Sequence, residues 1–77
     1  MTNTDQLTQT LIIALQGAAE EKDRDANQMD LWAEQSRTGG YSTHQVDAQL
    51  KLANKLRREA TGIRSVIAQA AERIRRQ

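Results

Sequence analysis

Residues 43–77 read THQVDAQLKLANKLRREATGIRSVIAQAAERIRRQ, and small or aliphatic side chains recur along them in steps of three and four. The repeating positions are Ala53, Leu56, Ala60, Ile63, Ile67, Ala70 and Ile74, with earlier steps at Val46 and Gln49. This spacing is the heptad pattern of a helix that packs along one side, and no proline interrupts it. It predicts one helix over about residues 43–76, roughly 50 Å long at about 1.5 Å per residue.

A second series with the same spacing lies in the first half of the chain and predicts a helix over about residues 4–36. Its positions are Ile12, Leu15, Ala19, Lys22, Ala26, Met29 and Ala33. The paired glycines Gly39 and Gly40 mark a loop over about residues 37–41, because glycine allows the positive φ that ends a helix. Ser42 followed by Gln45 fits the capping box that starts a helix.

Folding the chain back at this loop places residues whose numbers sum to about 80 beside one another. Ala26 then faces Ala53 and Ala19 faces Ala60, so small layers meet small layers and the helices can approach closely. Residues 1–38 carry net charge −4 and residues 39–77 carry +5, which favours antiparallel pairing. The expected charge contacts place an acidic group opposite a basic one: Glu20, Glu21, Asp23 and Asp25 against Lys55, Arg57 and Arg58.

The sequence therefore predicts an all-α fold: an antiparallel two-helix hairpin of the coiled-coil type, with residues 1–77 as a single domain. A chain of 77 residues buries little apolar surface, so we expect self-association. Dimerisation into a four-helix bundle is the expected form. A subunit of a longer helical assembly is the structural alternative.

Composition and charge bound the class of protein. The chain has no cysteine, which suits a reducing compartment and gives no thiolate metal site. Its net charge is +1. The longest apolar run, residues 11–15, is far too short to span a bilayer, and the N-terminus lacks the basic flank of a signal peptide. We expect a soluble cytoplasmic protein.

No catalytic, cofactor-binding or metal-binding site is predicted. His44 is the only histidine and has only Asp47 near it in sequence, so a metal would need ligands from another chain. The serines have no adjacent base to activate them as nucleophiles. The glycine pair lacks the flanking residues of a phosphate-binding loop. We therefore expect a protein that is not an enzyme and needs no cofactor.

Apolar residues outside the heptad series predict a protein-binding surface, because a helix that is apolar on extra sides is usually covered. Trp32 and Tyr41 flank the loop, and such residues are frequent binding hot spots. The arginines near the C-terminus, including Arg64, are expected to have only Asp5 near them, and so to contribute specificity. The predicted protein-binding residues are Ile13, Leu31, Trp32, Tyr41, Leu50, Arg73 and Arg76.

The functional hypothesis is a small adaptor, chaperone-like or inhibitory protein that docks a helical face on a larger protein. The alternative is a nucleic-acid-binding hairpin, because five basic residues share the outer side of the second helix. These residues are Lys51, Lys55, Arg58, Arg73 and Arg76. No aromatic side chain lies among them, which disfavours recognition by base stacking.

Overall fold

The structure of the protein is a computed structural model that describes residues 3–76. Two helices, α1 (Asn3–Thr38) and α2 (Thr43–Arg76), are joined by a four-residue turn and pack against each other along their length. The resulting rod measures 58 × 14 × 11 Å. The predicted antiparallel helical hairpin is confirmed.

Small side chains form the buried centre of the hairpin. The buried apolar residues are Ala19, Ala26, Ala33, Val46, Ala53 and Ala60. Each helix contributes three of them at intervals of seven residues, which is the heptad spacing read from the sequence. Larger seam residues such as Leu15, Leu56 and Ile63 are only partly buried. The hairpin is thus a line of small residues flanked by half-covered aliphatic ones.

The turn between the helices has the hydrogen bonds of a Schellman motif. The Tyr41 N–H donates to the Ser36 carbonyl at 2.9 Å, and the Gly40 N–H donates more weakly to the Arg37 carbonyl at 3.5 Å. Gly40 has a φ of 81°, the left-handed conformation that glycine adopts without strain. The turn therefore depends on glycine at position 40.

Replacing Gly40 by alanine should destabilise the hairpin by about 1–2 kcal/mol, because a Cβ is strained at positive φ. Thermal unfolding followed by circular dichroism would measure this as a lower midpoint. Gly17→Ala is the matched control: Gly17 is helical, and a Cβ there would meet no atom within 4 Å. That variant should gain up to about 1 kcal/mol, and a loss at Gly17 equal to that at Gly40 would contradict the role of the turn.

Ser42 begins α2 as its cap. Its side-chain oxygen accepts a hydrogen bond from the Gln45 N–H at 3.3 Å, and its carbonyl accepts from the N–H groups of Gln45 and Val46. These contacts satisfy N–H groups that have no partner inside the helix. The part of the predicted capping box that Ser42 supplies is present.

Three ion pairs connect the helices, as the opposite charges of the two halves predict. Lys22 pairs with Glu59 at 2.8 Å, Arg57 with Asp30, and Arg64 with Asp23. Arg57 also donates to the Asn27 side chain, and the hydrogen bond to Asp30 raises the pKa of Arg57 above its usual value. Opposite charges therefore join the helices at three levels of the rod.

The individual charge partners differ from those expected. Asp23 pairs with Arg64 rather than with a residue near position 57, and Arg64 does not depend on Asp5. Side chains in a helix point toward its N-terminus, so across an antiparallel pair they converge on residues displaced by about one turn. The number sums are 87 for both arginine pairs instead of about 80.

The Lys22–Glu59 pair makes the free energy of unfolding depend on pH. The hydrogen bond from Lys22 lowers the pKa of Glu59, helped by the charges of Lys22 and Lys55 and opposed by desolvation. A lowered folded-state pKa stabilises the fold above the unfolded value of about 4.3, and this contribution is lost as pH falls through the folded value.

We therefore expect Glu59→Gln to lower the melting temperature at pH 7 and to approach the parent protein as pH falls below about 4. Circular dichroism melts across pH 3–8 at a fixed protein concentration would measure the difference. Glu20→Gln is the control, because the exposed Glu20 forms no ion pair within residues 3–76. A Glu59→Gln difference that stays constant across this range would contradict the linkage.

Candidate interaction surfaces

The two broad faces of the hairpin differ in character. In an antiparallel pair, residues that directly follow a seam position lie on one face of the hairpin, and residues that directly precede one lie on the other. Asp23, Asp30, Arg57 and Arg64 all follow seam positions and pair across the first face. We call this the ion-paired face and the opposite one the open face.

The open face carries most of the exposed large apolar side chains. Of the eight such residues described, four directly precede a seam position: Leu11, Trp32, Leu52 and Val66. Leu7 precedes Thr8, which lies one step before Ile12 in the same series, and so joins them on this face. Tyr41 lies beside Trp32 at the loop end and makes a sixth. Only Ile13 and Leu31 lie elsewhere. Apolar surface on the hairpin is therefore concentrated on one side, and scattered exposure alone would not produce this pattern.

A concavity of about 590 Å³ lies on the open face at the loop end. Its lining residues are Trp32, Gln35, Ser36, Tyr41, Gln45, Ala48 and Gln49. No lining side chain is charged, and the two aromatic residues are the only ones in the whole chain. We call this site the loop-end concavity.

The neighbourhood of Tyr41 explains how the turn positions its ring. A Cβ on Gly39 would lie 3.3 Å from the Tyr41 ring and 3.1 Å from the Gln35 carbonyl oxygen. The missing side chain of Gly39 therefore gives the ring room to fold over the end of α1. Tyr41 nevertheless stays 63% exposed, and Trp32 is 45% exposed, so both rings offer surface to a partner.

The seven predicted protein-binding residues do not form one surface. Among the five apolar and aromatic ones, the structure brings together only Trp32 and Tyr41, at the loop-end concavity. Leu31 is 52% exposed and lies on the outer side of α1, adjacent to neither face of the seam. Ile13 and Leu50 both directly follow seam positions and so lie on the ion-paired face, where Leu50 is partly buried. Leu31 would therefore meet a different partner surface from Ile13 and Leu50.

Arg73 and Arg76 lie at the opposite end of the rod from the loop. Arg73 lines a second concavity of about 350 Å³ on the open face, with Thr4, Asp5, Thr8, Val66 and Ile74 among its neighbours. Arg76 donates to Glu72 on its own helix at 3.3 Å. By helical rise, Arg73 is roughly 40 Å from the level of Trp32.

The basic residues of α2 form two groups. Lys51, Lys55 and Arg58 line one shallow depression together with Asn54 and Arg57. Arg73 and Arg76 line another with Glu72, about 22 Å further along the helix from Arg58. Within residues 3–76, Lys51 and Arg58 form no ion pair. The first group is thus the more available cluster of positive charge.

Other predicted features can be placed within the described residues. His44 lies exposed in the first turn of α2, and residues 3–76 contain no group of three or more His, Cys, Asp or Glu side chains that could hold a metal ion. Neither described helix has an apolar segment long enough to cross a membrane.

Four members of the open face were not predicted from the sequence: Leu7, Leu11, Leu52 and Val66. The signal was present, because Leu11, Leu52 and Val66 each stand one position before a heptad residue, as Trp32 does. Reading the apolar residues as positions relative to the seam would have grouped them. The described hairpin thus offers an uncharged aromatic site, an apolar face and a basic cluster.

Comparison of this chain with protein-family models, curated proteins and solved structures found no match.

Proposed function

We propose that this chain is a small non-enzymatic protein-binding module, of the adaptor, chaperone-like or inhibitory kind, which docks on a larger cytoplasmic protein through its loop end. The observation that supports this is the meeting of the only two aromatic residues, Trp32 and Tyr41, in one exposed concavity. Trp and Tyr are enriched among residues that dominate binding energy. The remaining lining side chains are small or uncharged, which suits an apolar anchor with polar neighbours.

Gln49 indicates what kind of group the partner would supply. Its side-chain oxygen is buried and has no hydrogen-bond donor within the described structure, and it borders the loop-end concavity. A buried acceptor without a donor costs about 1–3 kcal/mol. A partner's N–H or O–H donor would recover this cost once the Gln49 side chain rotates so that its oxygen faces the concavity.

The experiment compares two neighbouring substitutions in a pull-down from the native host. Trp32→Ala removes the aromatic anchor, whereas Leu31→Ala removes an equally exposed apolar side chain that does not line the concavity. We expect the first to abolish capture of a specific protein and the second to preserve it. Loss of an anchor of this type weakens binding by at least about 2 kcal/mol, or roughly 30-fold.

Circular dichroism of both variants provides the folding control, since both positions are exposed and helicity should persist. Capture should also resist 0.5 M salt, because no charged side chain lines the site. Equal capture by the parent and Trp32→Ala proteins would refute the placement of the site.

A second candidate is nucleic-acid binding by the basic cluster of Lys51, Lys55 and Arg58. The observation that favours it is their convergence on one depression with no ion pair to Lys51 or Arg58 in residues 3–76. Phosphate binding weakens steeply with ionic strength, so a salt titration with a fluorescent oligonucleotide separates this function from apolar docking. Absence of binding at low salt would eliminate it.

A further inference from the structure

We propose that a second copy of this chain covers the open face and gives a four-helix bundle with a twofold axis parallel to the helices. In this arrangement α1 of each copy packs against α2 of the other, and both loops lie at the same end. The proposal deepens the proposed function and rests on it in one respect only, which is that the loop end docks on a partner protein. It gives that function a paired docking site.

The exposed apolar side chains of the open face favour burial against a partner. Four exposed aliphatic side chains lie along it between the chain-terminal end of the rod and the loop-end concavity: Leu7, Leu11, Leu52 and Val66. The opposite face satisfies its charges with ion pairs across the seam. A partner that buries only the open face therefore removes apolar surface from water without stripping those charges of solvent.

The size of the face matches what a stable dimer needs. It spans the 58 Å length and 14 Å width of the rod, so its projected area is roughly 800 Å². A standard stable interface takes about 800 Å² from each partner. A second hairpin of the same length would cover the face from Leu7 to Leu52 and leave the loop-end concavity at its rim, whereas a single short helix would leave most of the face in water.

Charge selects between the two possible twofold axes. An axis perpendicular to the helices would set α1 against α1 of the partner, and those helices both carry net charge −4. The parallel axis sets α1 against α2, which carries +5. On the open face itself α1 presents the acids Glu21 and Asp25, while α2 presents Lys55, Arg73 and one acid, Glu59, whose charge is paired with Lys22. Opposite charges across an interface favour one register and penalise the other.

The parallel axis also matches residues by size. Rotation about this axis leaves the height of each residue along the rod unchanged, so residues of the two copies whose numbers sum to about 80 lie side by side. Leu11 therefore contacts the partner's Val66. Glu21 lies within about one turn of the partner's Lys55. Gly62 stands level with Ala18, and a Cβ on Gly62 would meet nothing within 4 Å in the single hairpin. Small residues there let the helices of two copies approach closely.

The consequence for recognition is a paired site. With both loops at one end, the two loop-end concavities lie side by side, each with its own Trp32 and Tyr41. A partner with two similar segments would gain avidity from engaging both. A perpendicular axis would separate the two concavities by most of the 58 Å length of the rod.

The test combines mass and distance measurements on the full chain. Sedimentation equilibrium should give twice the monomer mass of 8.7 kDa. Because the chain has no cysteine, Thr43→Cys can carry a single spin label at the start of α2. We expect a label separation below about 25 Å, since the two α2 helices lie across the diagonal of a bundle whose neighbouring helices are about 8–10 Å apart. A separation near 50 Å, a monomer at 100 µM, or mass that grows without limit would each overturn the proposal.

Two glycine substitutions test the face directly. Gly62→Trp places a large side chain on the open face, and Gly17→Trp places the same side chain on the outer side of α1; both sites are open in the single hairpin. We expect the dimer dissociation constant to rise at least tenfold for Gly62→Trp and to stay unchanged for Gly17→Trp. An unaltered dimer in the Gly62→Trp protein, with helicity retained, would refute the interface.

These results are separable from those on the proposed function. The measurements of mass and label distance, and those on the glycine variants, need no outside partner. Results that contradict the dimer therefore leave docking through Trp32 unaffected. Failure of capture by the parent protein, with a dimer of the expected geometry, would refute the proposed function alone.

Discussion

Replacing Ala53 by aspartate is expected to remove a large part of the hairpin's stability at 25 °C. Ala53 is fully buried between the helices, and Arg57, one turn further along α2, is already bound by Asp30 and Asn27. An uncompensated buried charge costs about 3–5 kcal/mol. The total stability of a 77-residue chain is only about 4–12 kcal/mol. The melting temperature should fall by more than about 12 °C, at about 4 °C or more per kcal/mol.

Ala68→Asp is the matched control for this change. Ala68 is exposed on the same helix, so the new charge stays in water and should alter stability by no more than about 0.5 kcal/mol. Circular dichroism melts at a single protein concentration would compare the two, because self-association makes the midpoint depend on concentration. Similar melting of the two variants would mean that residue 53 is not enclosed by the helices.

The second large effect is expected from size rather than charge. Ala26→Leu adds three carbon atoms at a fully buried position, where the neighbouring helix leaves no space for them. Overpacking of this kind typically costs about 1–3 kcal/mol. The added leucine would also push the helices apart beyond the short end of their usual 8–10 Å separation. A lower melting temperature, despite the greater hydrophobicity of leucine, would demonstrate that close approach stabilises this fold.

Ala68→Leu distinguishes this effect from a general response to leucine. At an exposed position the same change should be neutral or slightly favourable, because both residues are good helix formers. Stabilisation of the Ala26→Leu protein would show that the helices separate readily and that the seam tolerates larger residues. The small-residue account of the hairpin would then be wrong.

The architecture could be predicted from the sequence because two independent patterns agree. The heptad series in each half locates the buried alanines Ala19, Ala26, Ala53 and Ala60, all of which are at most 1% exposed. The glycine pair locates the reversal, and Gly40 adopts the positive φ expected of it. Local signals of this kind survive folding because they depend on spacing and backbone geometry alone.

The contacts between side chains could not be predicted to the same detail. Pairing residues by the sum of their numbers assumes that side chains extend perpendicular to the helix axis. Long side chains instead lean toward the N-terminus of the helix that carries them. Asp30 therefore reaches Arg57, and Asp23 reaches Arg64. The sequence indicated opposite charges correctly and gave the wrong individual partners for this reason.

The candidate site was predicted only in part. Trp32 and Tyr41 were expected to flank the loop, and the structure places both in the loop-end concavity. Leu31 was grouped with them as an apolar residue outside the heptad series, yet a step of one residue turns the side chain by about 100° around the helix. Whether these residues bind a protein stays a prediction.

The even spacing of the buried alanines has a consequence for alignment. Sliding one helix past the other by seven residues, roughly 10.5 Å, would again set small residues against small ones, so the seam alone tolerates slippage. The ion pairs of Lys22, Arg57 and Arg64 and the four-residue tether after Thr38 hold the correct setting. If the backbone were cleaved between Gly39 and Gly40, the two fragments would lose that tether, and mispaired rods with overhanging ends would compete with the native one.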